Sequence, residues 1–258
     1  MQRTQFNKEA ALFAITEHVR TIAREWPVPY RFWLGRHSRK IGKPKKLPEM
    51  TDSIYLDGYP RSGNTYFTAL VRQLEPQVKF ADHLHVVAPI KIALSLKIPT
   101  FILMRNPDDA ILSYMVHIEQ LGVKSGKRNL NPNELAGQLT SDWLRYYRFV
   151  DSYFSRLTVV LSEAAFKDPL GTIENVFELA GVQKDPYRSA KFEKAHRRFA
   201  TRDATKAQGS TSYPSAERNR LKDSYRAICE KSGKVEEARQ LHRRIAARVL
   251  SAQSQRLS

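Results

Sequence analysis

The sequence is poor in cysteine and has no long apolar run near its start. Cys229 is the single cysteine among 258 residues, so no disulfide can form within the chain. A chain without disulfides suits a reducing compartment. In the N-terminal segment the longest apolar run is Ala10 to Ile15, which is too short for a signal peptide or a membrane span. These absences exclude a disulfide-rich secreted scaffold, and we expect a cytoplasmic protein.

The chain also has too few acidic residues to balance its basic ones. It holds 43 Lys and Arg against 26 Asp and Glu, a formal net charge of +17. Residues 1–52 contain 11 basic and 5 acidic residues, and residues 187–258 contain 18 and 7, so the positive excess lies in the two ends. Such ends attract nucleic acid, acidic glycans, anionic membranes or phosphorylated cofactors, or else form a solvated basic surface.

Hydrophobic residues make up 41% of the chain, which is enough for a buried core. Short apolar runs predict buried strands at Ser53–Gly58, Thr100–Met104 and Leu157–Leu161, with a further short strand at Val78–Ala81. Apolar residues at helical spacing predict helices over residues 5–25, 64–74, 86–97, 108–121, 132–155, 169–180, 187–197, 215–231 and 234–251. Loops are predicted over residues 35–52 and 201–213.

The alternation of buried strands and helices predicts the fold class. Continuous apolar strands separated by helices indicate an α/β fold with a central parallel sheet flanked by helices on both faces. We expect a single domain over residues 1–258. Its parts are a basic N-terminal helix and loop (1–52), a ligand-binding core (53–181) and a basic part with extra helices (182–258). Ligands of such sheets bind at the carboxyl ends of the strands.

A glycine-containing loop joins the first strand to the next helix. Residues 58–65 match G-x-x-x-x-G-K-[ST] at every fixed position except Asn64, which stands where the lysine is required. Backbone N–H groups and the helix N-terminus bind an anion in this context, and Arg61, Ser62 and Thr65 add a charge and two hydroxyls. The fold is therefore expected to be P-loop NTPase-like, with an anion other than a Mg²⁺-bound triphosphate. Alternatively, residues 58–65 form a glycine-containing turn from strand to helix that binds no ligand.

This loop resembles the 5'-phosphosulfate loop of the sulfotransferases that use 3'-phosphoadenosine-5'-phosphosulfate (PAPS), which has the form Y-P-K-S-G-T-T-W. The matching residues here are Tyr59, Pro60, Arg61, Ser62, Gly63, Asn64, Thr65 and Tyr66. The resemblance implies PAPS as donor and 3'-phosphoadenosine 5'-phosphate (3',5'-ADP) as product. It also implies that residues 61–66 bind the cofactor. Arg61 takes the place of the loop lysine, and Tyr66 would stack on adenine.

A second signature follows the strand Thr100–Met104. The pattern R-N-P-x-D-x-x-x-S is matched by Arg105, Asn106, Pro107, Asp109 and Ser113. By itself the pattern indicates a strand, a proline turn and a helix capped by acidic residues. The same sulfotransferase family carries it as a 3'-phosphate site, which implies that Arg105 and Ser113 bind the 3'-phosphate. Two anion motifs in the family's order are more specific than either alone, and we expect them to share one cleft.

Transfer of a sulfuryl group to a hydroxyl needs a base, and a histidine suits that task at neutral pH. The resemblance aligns His83 with the family's histidine in K-T-H-L, whereas His85, two residues later, is the rival. The family lysine two residues before the base is Ala81 here, so Arg61 is expected to act at the reacting group. The predicted catalytic residues are therefore His83 and Arg61, and the transfer is expected to be in-line and to need no metal.

Two other parts of the family pattern match poorly. Residues 159–163 resemble a strand ending in Y-E-D, with Ser162 in place of the tyrosine near adenine. The family's R-K-G loop over the 3'-phosphate has no clean match. One or two members of a basic, glycine-containing group are expected to replace it: Arg197, Arg198, Arg202, Lys206 and Gly209. The resemblance covers about residues 53–181.

The poorly matched ends are predicted to select the acceptor. The basic N-terminal segment contains Trp26, Tyr30, Phe32 and Trp33, which either meet the acceptor or a membrane surface or pack on the domain. We expect a glycan or lipid hydroxyl as acceptor, peripheral membrane contact through the basic ends, and no nucleic acid. Three alternatives stay open: a P-loop kinase, a basic nucleic-acid-binding protein, and a sulfotransferase-like protein without catalysis.

Overall fold

The computed structural model describes residues 24–41, 45–125, 131–183, 185–205 and 216–257. The helix predicted over residues 5–25 lies outside the described residues, except for residues 24 and 25, which are helical. Lys206 and Gly209 also lie outside them. The elements of the described part follow in this order: α1 (Pro27–Ile41), β1 (Tyr55–Gly58), α2 (Asn64–Leu74), α3 (Val87–Ser95), β2 (Thr100–Met104), α4 (Pro107–Ser125), α5 (Pro132–Ser152), a 3₁₀ turn (Phe154–Arg156), β3 (Thr158–Leu161), α6 (Ser162–Lys167), α7 (Pro169–Leu179), α8 (Arg188–Thr205), α9 (Ala216–Glu230) and α10 (Val235–Leu257).

The strands form a parallel sheet in the order β1-β2-β3. In its register Tyr55 lies opposite Thr100, and Phe101 lies opposite Thr158. Every residue of β1 and β2 is buried, as expected for parallel strands covered on both faces. The three strands lie where the apolar runs predict them, with ends that differ by at most two residues.

Successive residues of the strands face two hydrophobic cores, because side chains alternate across a sheet. Tyr55 and Ile102 belong to the core that includes residues of α3, α4, α5 and α10. Leu56 and Leu103 belong to the other core, which includes residues of α2, α7 and α8. The predicted three-layer α/β fold, with extra helices after the last strand, is confirmed.

Three local predictions are wrong. Val78–Ala81 is not a strand. The Ser53 N–H donates to Lys79 O at 2.8 Å, whereas the Asp82 N–H donates to Lys46 O at 3.0 Å. Lys79 and Asp82 thus bond two different parts of the chain, and residues 78–81 do not pair with a neighbouring strand. The first residues of the predicted loop 35–52 belong to α1, because this helix begins at Pro27 and continues to Ile41.

The third correction concerns α8, which extends to Thr205 instead of ending near residue 197. Its later turns take up part of the loop predicted over residues 201–213. Among the described residues, no helix combines the length and the apolar character that crossing a bilayer demands.

Candidate active site

The carboxyl ends of the three parallel strands meet at one edge of the sheet, where such folds bind ligands. The loop 59–63 follows β1, Arg105 and Asn106 follow β2, and Ser162 follows β3. Side chains join the three connections. The Ser162 hydroxyl donates to Ser62 O at 2.9 Å, and Glu163 Oε1 accepts from the Asn106 N–H at 3.2 Å. The sequence signatures therefore converge on one place in the fold.

The loop between β1 and α2 has a compact backbone that depends on two glycines. A Cβ atom at Gly58 would lie 2.3 Å from Leu103 O of the neighbouring strand, so this position has no room for a side chain. Gly63, the N-cap of α2, has φ of 101°, which favours glycine. Arg61 also has a positive φ, of 72°. The resulting turn brings backbone N–H groups to the start of a helix, as an anion cradle requires.

The polar side chains of the loop differ in what remains available for a ligand. Ser62 Oγ is buried and has no hydrogen-bond partner of normal geometry. Thr65 is exposed in the first turn of α2. By contrast, the Asn64 side-chain nitrogen donates to Gly58 O at 3.1 Å and to Tyr59 O at 3.2 Å. The Asn64 side chain therefore stabilises the loop. Of this residue, the backbone N–H is what remains for the predicted contact with a ligand.

Tyr147 of α5 connects the loop to β2. Its hydroxyl donates to Leu103 O at 2.8 Å and accepts from the Tyr59 N–H at 3.3 Å. The Tyr59 hydroxyl in turn donates to Leu139 O of α5 at 2.9 Å. All these groups are buried, so the start of the loop is rigidly attached to a neighbouring helix. Sequence reasoning missed Tyr147, because it lies 88 residues from Tyr59.

The second signature lies against the loop. Arg61 Nε donates to Ser113 Oγ at 3.1 Å, and Arg105 Nη1 donates to Arg61 O at 3.0 Å. Ser113 is buried, while Arg61 and Arg105 are half-buried. Arg105 also forms an ion pair with Asp109, one turn further along α4, at 3.7 Å. The two predicted anion sites are thus parts of one constellation and share Arg61.

His85 lies on the other side of the loop and is held by a buried carboxylate. Its Nδ1 lies 2.7 Å from Gly58 O, an atom that only accepts, so Nδ1 carries the proton. Asp57 Oδ1 lies 3.2 Å from the same nitrogen. Because Nδ1 is the donor, Nε2 carries the lone pair and is the basic atom of the ring. His85 has φ of 59°, a strained conformation often found at functional sites.

Asp57 is the group that organises this side of the loop. Its fully buried carboxylate accepts from Tyr55 Oη at 2.6 Å, from the Gly58 N–H at 2.8 Å and from the His85 N–H at 3.1 Å. It also accepts from the Leu84 N–H at 3.3 Å. These bonds fasten the turn at residues 84 and 85 to β1. The signal in the sequence was a lone acidic residue within an apolar strand, directly before the loop glycine.

His83, the base predicted by the resemblance, occupies a different environment. Its Nδ1 is buried without a hydrogen-bond partner. Burial first, and the neighbouring His85 second, lower the pKa of His83 to about 4. Among the described residues, no hydrogen bond orients the His83 ring as Asp57 and Gly58 orient that of His85. Ala81, at the place of the family lysine, is 1% exposed and packs in the core.

Tyr66, the predicted adenine partner, belongs to an aromatic cluster. Its ring centroid lies 5.5 Å from that of Phe166 and 5.1 Å from that of Phe199, and its hydroxyl lies 2.8 Å from His196 Nδ1. Burial raises the pKa of Tyr66 to about 12. Phe166 remains half exposed, at 49%. The cluster thus leaves an aromatic surface accessible at Phe166, whereas a contact of Tyr66 with adenine stays a prediction.

The remaining basic residues predicted for the cofactor lie on α8. Arg197 and Arg198 are exposed, and the side chain of Arg202 lies outside the described residues. Helix α8 packs on α2 through Phe192 and Ala195. The structure therefore brings α8 beside the loop helix, whereas a role of these arginines at a 3'-phosphate stays a prediction.

A cleft of about 320 Å³ opens beside Tyr59 and His85. Its apolar wall includes Leu84, Val86, Ile118 and Leu139. Charged residues at its rim form ion pairs. Arg145 contacts Glu25 and Asp142, at 3.0 Å in each case. His83 is not among the residues that line this cleft. A small molecule in the cleft would therefore meet His85.

No family model matches this chain, and no curated protein matches its sequence. Among solved structures, the mouse sulfotransferase SULT7A1 complexed with PAP is similar at 13% sequence identity. The match covers 77% of this chain and 90% of that chain, with a TM-score of 0.49. A likeness at this level shows neither a ligand nor an activity for this chain.

Proposed function

We propose that this protein is a sulfotransferase that uses PAPS and an acceptor hydroxyl and releases 3',5'-ADP. The observation that carries the proposal is the contact between the two anion motifs. Arg61 Nε lies 3.1 Å from Ser113 Oγ, and Arg105 donates to the carbonyl of Arg61. Motifs 52 residues apart in sequence thus form one basic constellation at the carboxyl ends of the strands. A nucleotide with phosphates at both its 5' and 3' positions is the ligand that needs two such sites.

The residues of the loop fit the 5' end of this ligand. The N–H groups at the start of α2, the unpartnered hydroxyl of Ser62 and the exposed hydroxyl of Thr65 would hold the 5'-phosphate. Arg61 would stabilise the charge that develops on this phosphate. Arg105 and Ser113 would hold the 3'-phosphate through charged and hydroxyl donors. When bound, PAPS supplies an activated sulfuryl group.

His85, held by Asp57, is the base that the geometry favours. Its Nε2 would accept the proton of the acceptor hydroxyl while the acceptor oxygen bonds to sulfur and the bond from sulfur to the 5'-phosphate oxygen breaks. Gly58 O and Asp57 hold Nδ1, so the basic atom keeps one orientation. His83 lacks such partners and does not line the cleft. We therefore place the base at His85, the rival in the sequence prediction.

A kinase-like function is disfavoured by the contacts of Asn64. This residue occupies the place of the P-loop lysine, and its amide nitrogen is used by two loop carbonyls. The position therefore offers no cation to a β- or γ-phosphate. The proposal predicts that 3',5'-ADP binds more tightly than ADP or ATP, and that Mg²⁺ does not improve its binding.

Calorimetric titration with 3',5'-ADP and 5'-AMP tests the proposal, because these ligands differ only in the 3'-phosphate. Arg105→Gln should weaken 3',5'-ADP binding by about tenfold to a hundredfold, the worth of a charged hydrogen bond, and leave 5'-AMP binding unchanged. Arg148→Gln, which removes an exposed arginine paired with Glu237, is the control. Equal affinities of the wild-type protein for both ligands would contradict the proposal.

Transfer from labelled PAPS to a panel of hydroxyl acceptors tests the base. His85→Asn keeps a side-chain N–H near the position of Nδ1, tolerates the positive φ and lacks Nε2. It should lower the transfer rate by about 10²-fold to 10⁴-fold and keep 3',5'-ADP binding. His83→Asn should retain most of the activity. The opposite ranking of the two variants would return the base to His83.

A further inference from the structure

Helix α1 presents an apolar strip to solvent. Val28 is 66% exposed and Phe32 is 78% exposed, and the two are one helical turn apart. Trp26, just before the helix, is 57% exposed. Arg31 and Arg36 are also exposed, and the helical spacing of 100° per residue places them on either side of the strip. An exposed strip of large apolar side chains between cations marks an interaction surface.

The opposite face of α1 is attached firmly to the domain. Tyr30 and Leu34 are 2% and 5% exposed and pack against Ala88 of α3. The rings of Tyr30 and Trp33 are stacked, with centroids 5.6 Å apart. Lys91 of α3 lies over the Trp26 ring, at 4.6 Å from its centroid. The outward direction of Val28 and Phe32 is therefore set by the packing of the inner face.

The sequence around this strip is basic; of its described cations, Arg31 and Arg36 are exposed, whereas Lys46 pairs with Asp52 at 2.5 Å. The segment from Trp26 to Pro48 contains seven Lys and Arg residues and no Asp or Glu. Aromatic and aliphatic side chains among basic residues are the composition with which helices bind the interface of an anionic bilayer. In such helices the cations are attracted to the headgroups, while the apolar side chains enter the boundary between headgroups and acyl chains. The apolar strip distinguishes this surface from a purely ionic nucleic-acid site.

We propose that α1 docks the protein on the surface of an anionic membrane. The docked helix would lie next to the acceptor cleft. Leu84 and Val86 pack against the α1 cluster and also line the cleft, and Arg24 and Glu25 at its rim directly precede Trp26. On the basis of the proposed function, the acceptor is then a hydroxyl of a lipid or another amphiphile that enters from the membrane surface. The docking itself does not depend on the reaction.

Sedimentation with vesicles tests the docking on the full chain without nucleotide. The wild-type protein should bind vesicles of phosphatidylcholine with 30% phosphatidylserine (about the anionic content of a cytoplasmic leaflet) and should bind pure phosphatidylcholine much less. The double variant Val28→Glu, Phe32→Glu should bind the anionic vesicles at least about tenfold more weakly, since two apolar side chains no longer leave water. Leu250→Glu, at an exposed position of α10, is the matched control and should bind as the wild type does.

Vesicle binding and nucleotide binding are measured separately, so the docking and the proposed function can fail independently. Both variants should bind 3',5'-ADP like the wild type, because the altered residues lie on exposed helix faces. Absence of vesicle binding, or equal binding by the double variant, overturns the docking whatever the nucleotide result. A wild-type dimer in solution that the double variant converts to a monomer would assign the strip to a second copy and also overturn it. Binding to a DNA duplex but not to vesicles would do the same.

Discussion

Two histidines separated by one residue have different chemical surroundings in this protein. The ring of His85 is held through Nδ1 by Gly58 O and Asp57, which leaves Nε2 as the basic atom. The ring of His83 lies 5.0 Å away, and its buried Nδ1 has no partner. The difference arises from Asp57, which fastens residues 84 and 85 to β1. At the scale of single residues, one buried carboxylate decides which of the two imidazole rings is held in one orientation.

The low pKa of His83 predicts a pH dependence of stability. The unfolded chain binds a proton at this residue near pH 6.5, whereas the folded protein does so only near pH 4. The unfolded state therefore holds more protons between these values, and stability falls as the pH falls through this window. His83→Gln should lose less stability between pH 7 and pH 4.5 than the wild type does, as measured by urea unfolding.

The difference between wild type and variant isolates His83 from other titrating groups. Burial also lowers the pKa of His242, but that residue is common to both proteins. Parallel curves of unfolding free energy against pH for the two proteins would contradict the assignment of a low pKa to His83.

At the scale of elements, the loop between β1 and α2 depends on a helix far along the chain. The hydroxyl of Tyr147 in α5 donates to Leu103 O, near the end of β2, and accepts from the Tyr59 N–H, at the start of the loop. On the other side of the sheet, Arg188 of α8 is 2% exposed and bonds Glu75 at 3.1 Å. It also bonds Glu174 at 2.5 Å. The Tyr147 bonds thus attach α5 to the carboxyl end of the sheet, whereas the Arg188 pairs join α8 to the end of α2 and to α7.

Tyr147→Phe is predicted to loosen the loop without emptying the core. The variant keeps the ring and leaves Leu103 O and the Tyr59 N–H buried without this partner, which should cost about 1–3 kcal/mol of unfolding free energy. Affinity for 3',5'-ADP should fall as well, because the loop is less well ordered. Tyr153→Phe, at a ring that is 38% exposed, is the control and should change stability by less than about 0.5 kcal/mol. If Tyr147→Phe has the stability and the 3',5'-ADP affinity of the wild type, the Tyr147 hydroxyl does not stabilise the loop.

On the scale of the whole molecule, the basic C-terminal helix is held by acidic residues of the neutral middle part. Arg239 contacts Asp108 at 2.9 Å, and Arg244 and Arg248 contact Asp151 at 2.7 and 2.5 Å. These arginines are thus used in assembling the fold. Arg31 and Arg36 of α1, by contrast, are exposed.

Asp151→Asn tests the attachment of α10 to α5. The change removes the carboxylate shared by Arg244 and Arg248, and because both pairs are partly exposed the expected loss is about 0.5–2 kcal/mol. The loss should shrink in 1 M salt, which screens such pairs. Hydrogen exchange should become faster in Val235–Leu257 and stay unchanged in Thr100–Met104. Asp223→Asn, paired with Arg226 within α9 and 72% exposed, should have little effect. A loss in Asp151→Asn that is independent of salt would contradict the ion-pair account.

The sequence alone determined the strands, the loop and the two anion motifs. Apolar runs place β1, β2 and β3, and glycine spacing places the turn from Gly58 to Gly63, because these signals are local in the chain. The helix boundaries were less predictable. The predicted helix over residues 5–25 ends before Pro27, yet Pro27 begins α1, because a proline is suited to the first turn of a helix. Val78–Ala81 has the composition of a strand but lacks a single partner strand.

Only the tertiary structure decided what the polar residues of the site do. Asn64 turned inward to two loop carbonyls, the Ser162 hydroxyl bonded Ser62 O from 100 residues away, and His85 gained Asp57 as its partner. The physical reason is that a hydrogen bond depends on distance and direction in space, whereas the sequence reports only residue type and order. The spacing of apolar residues, by contrast, can be recognised from residue order alone. The orientation of the His85 ring is defined only after folding has brought Asp57 and Gly58 O next to it.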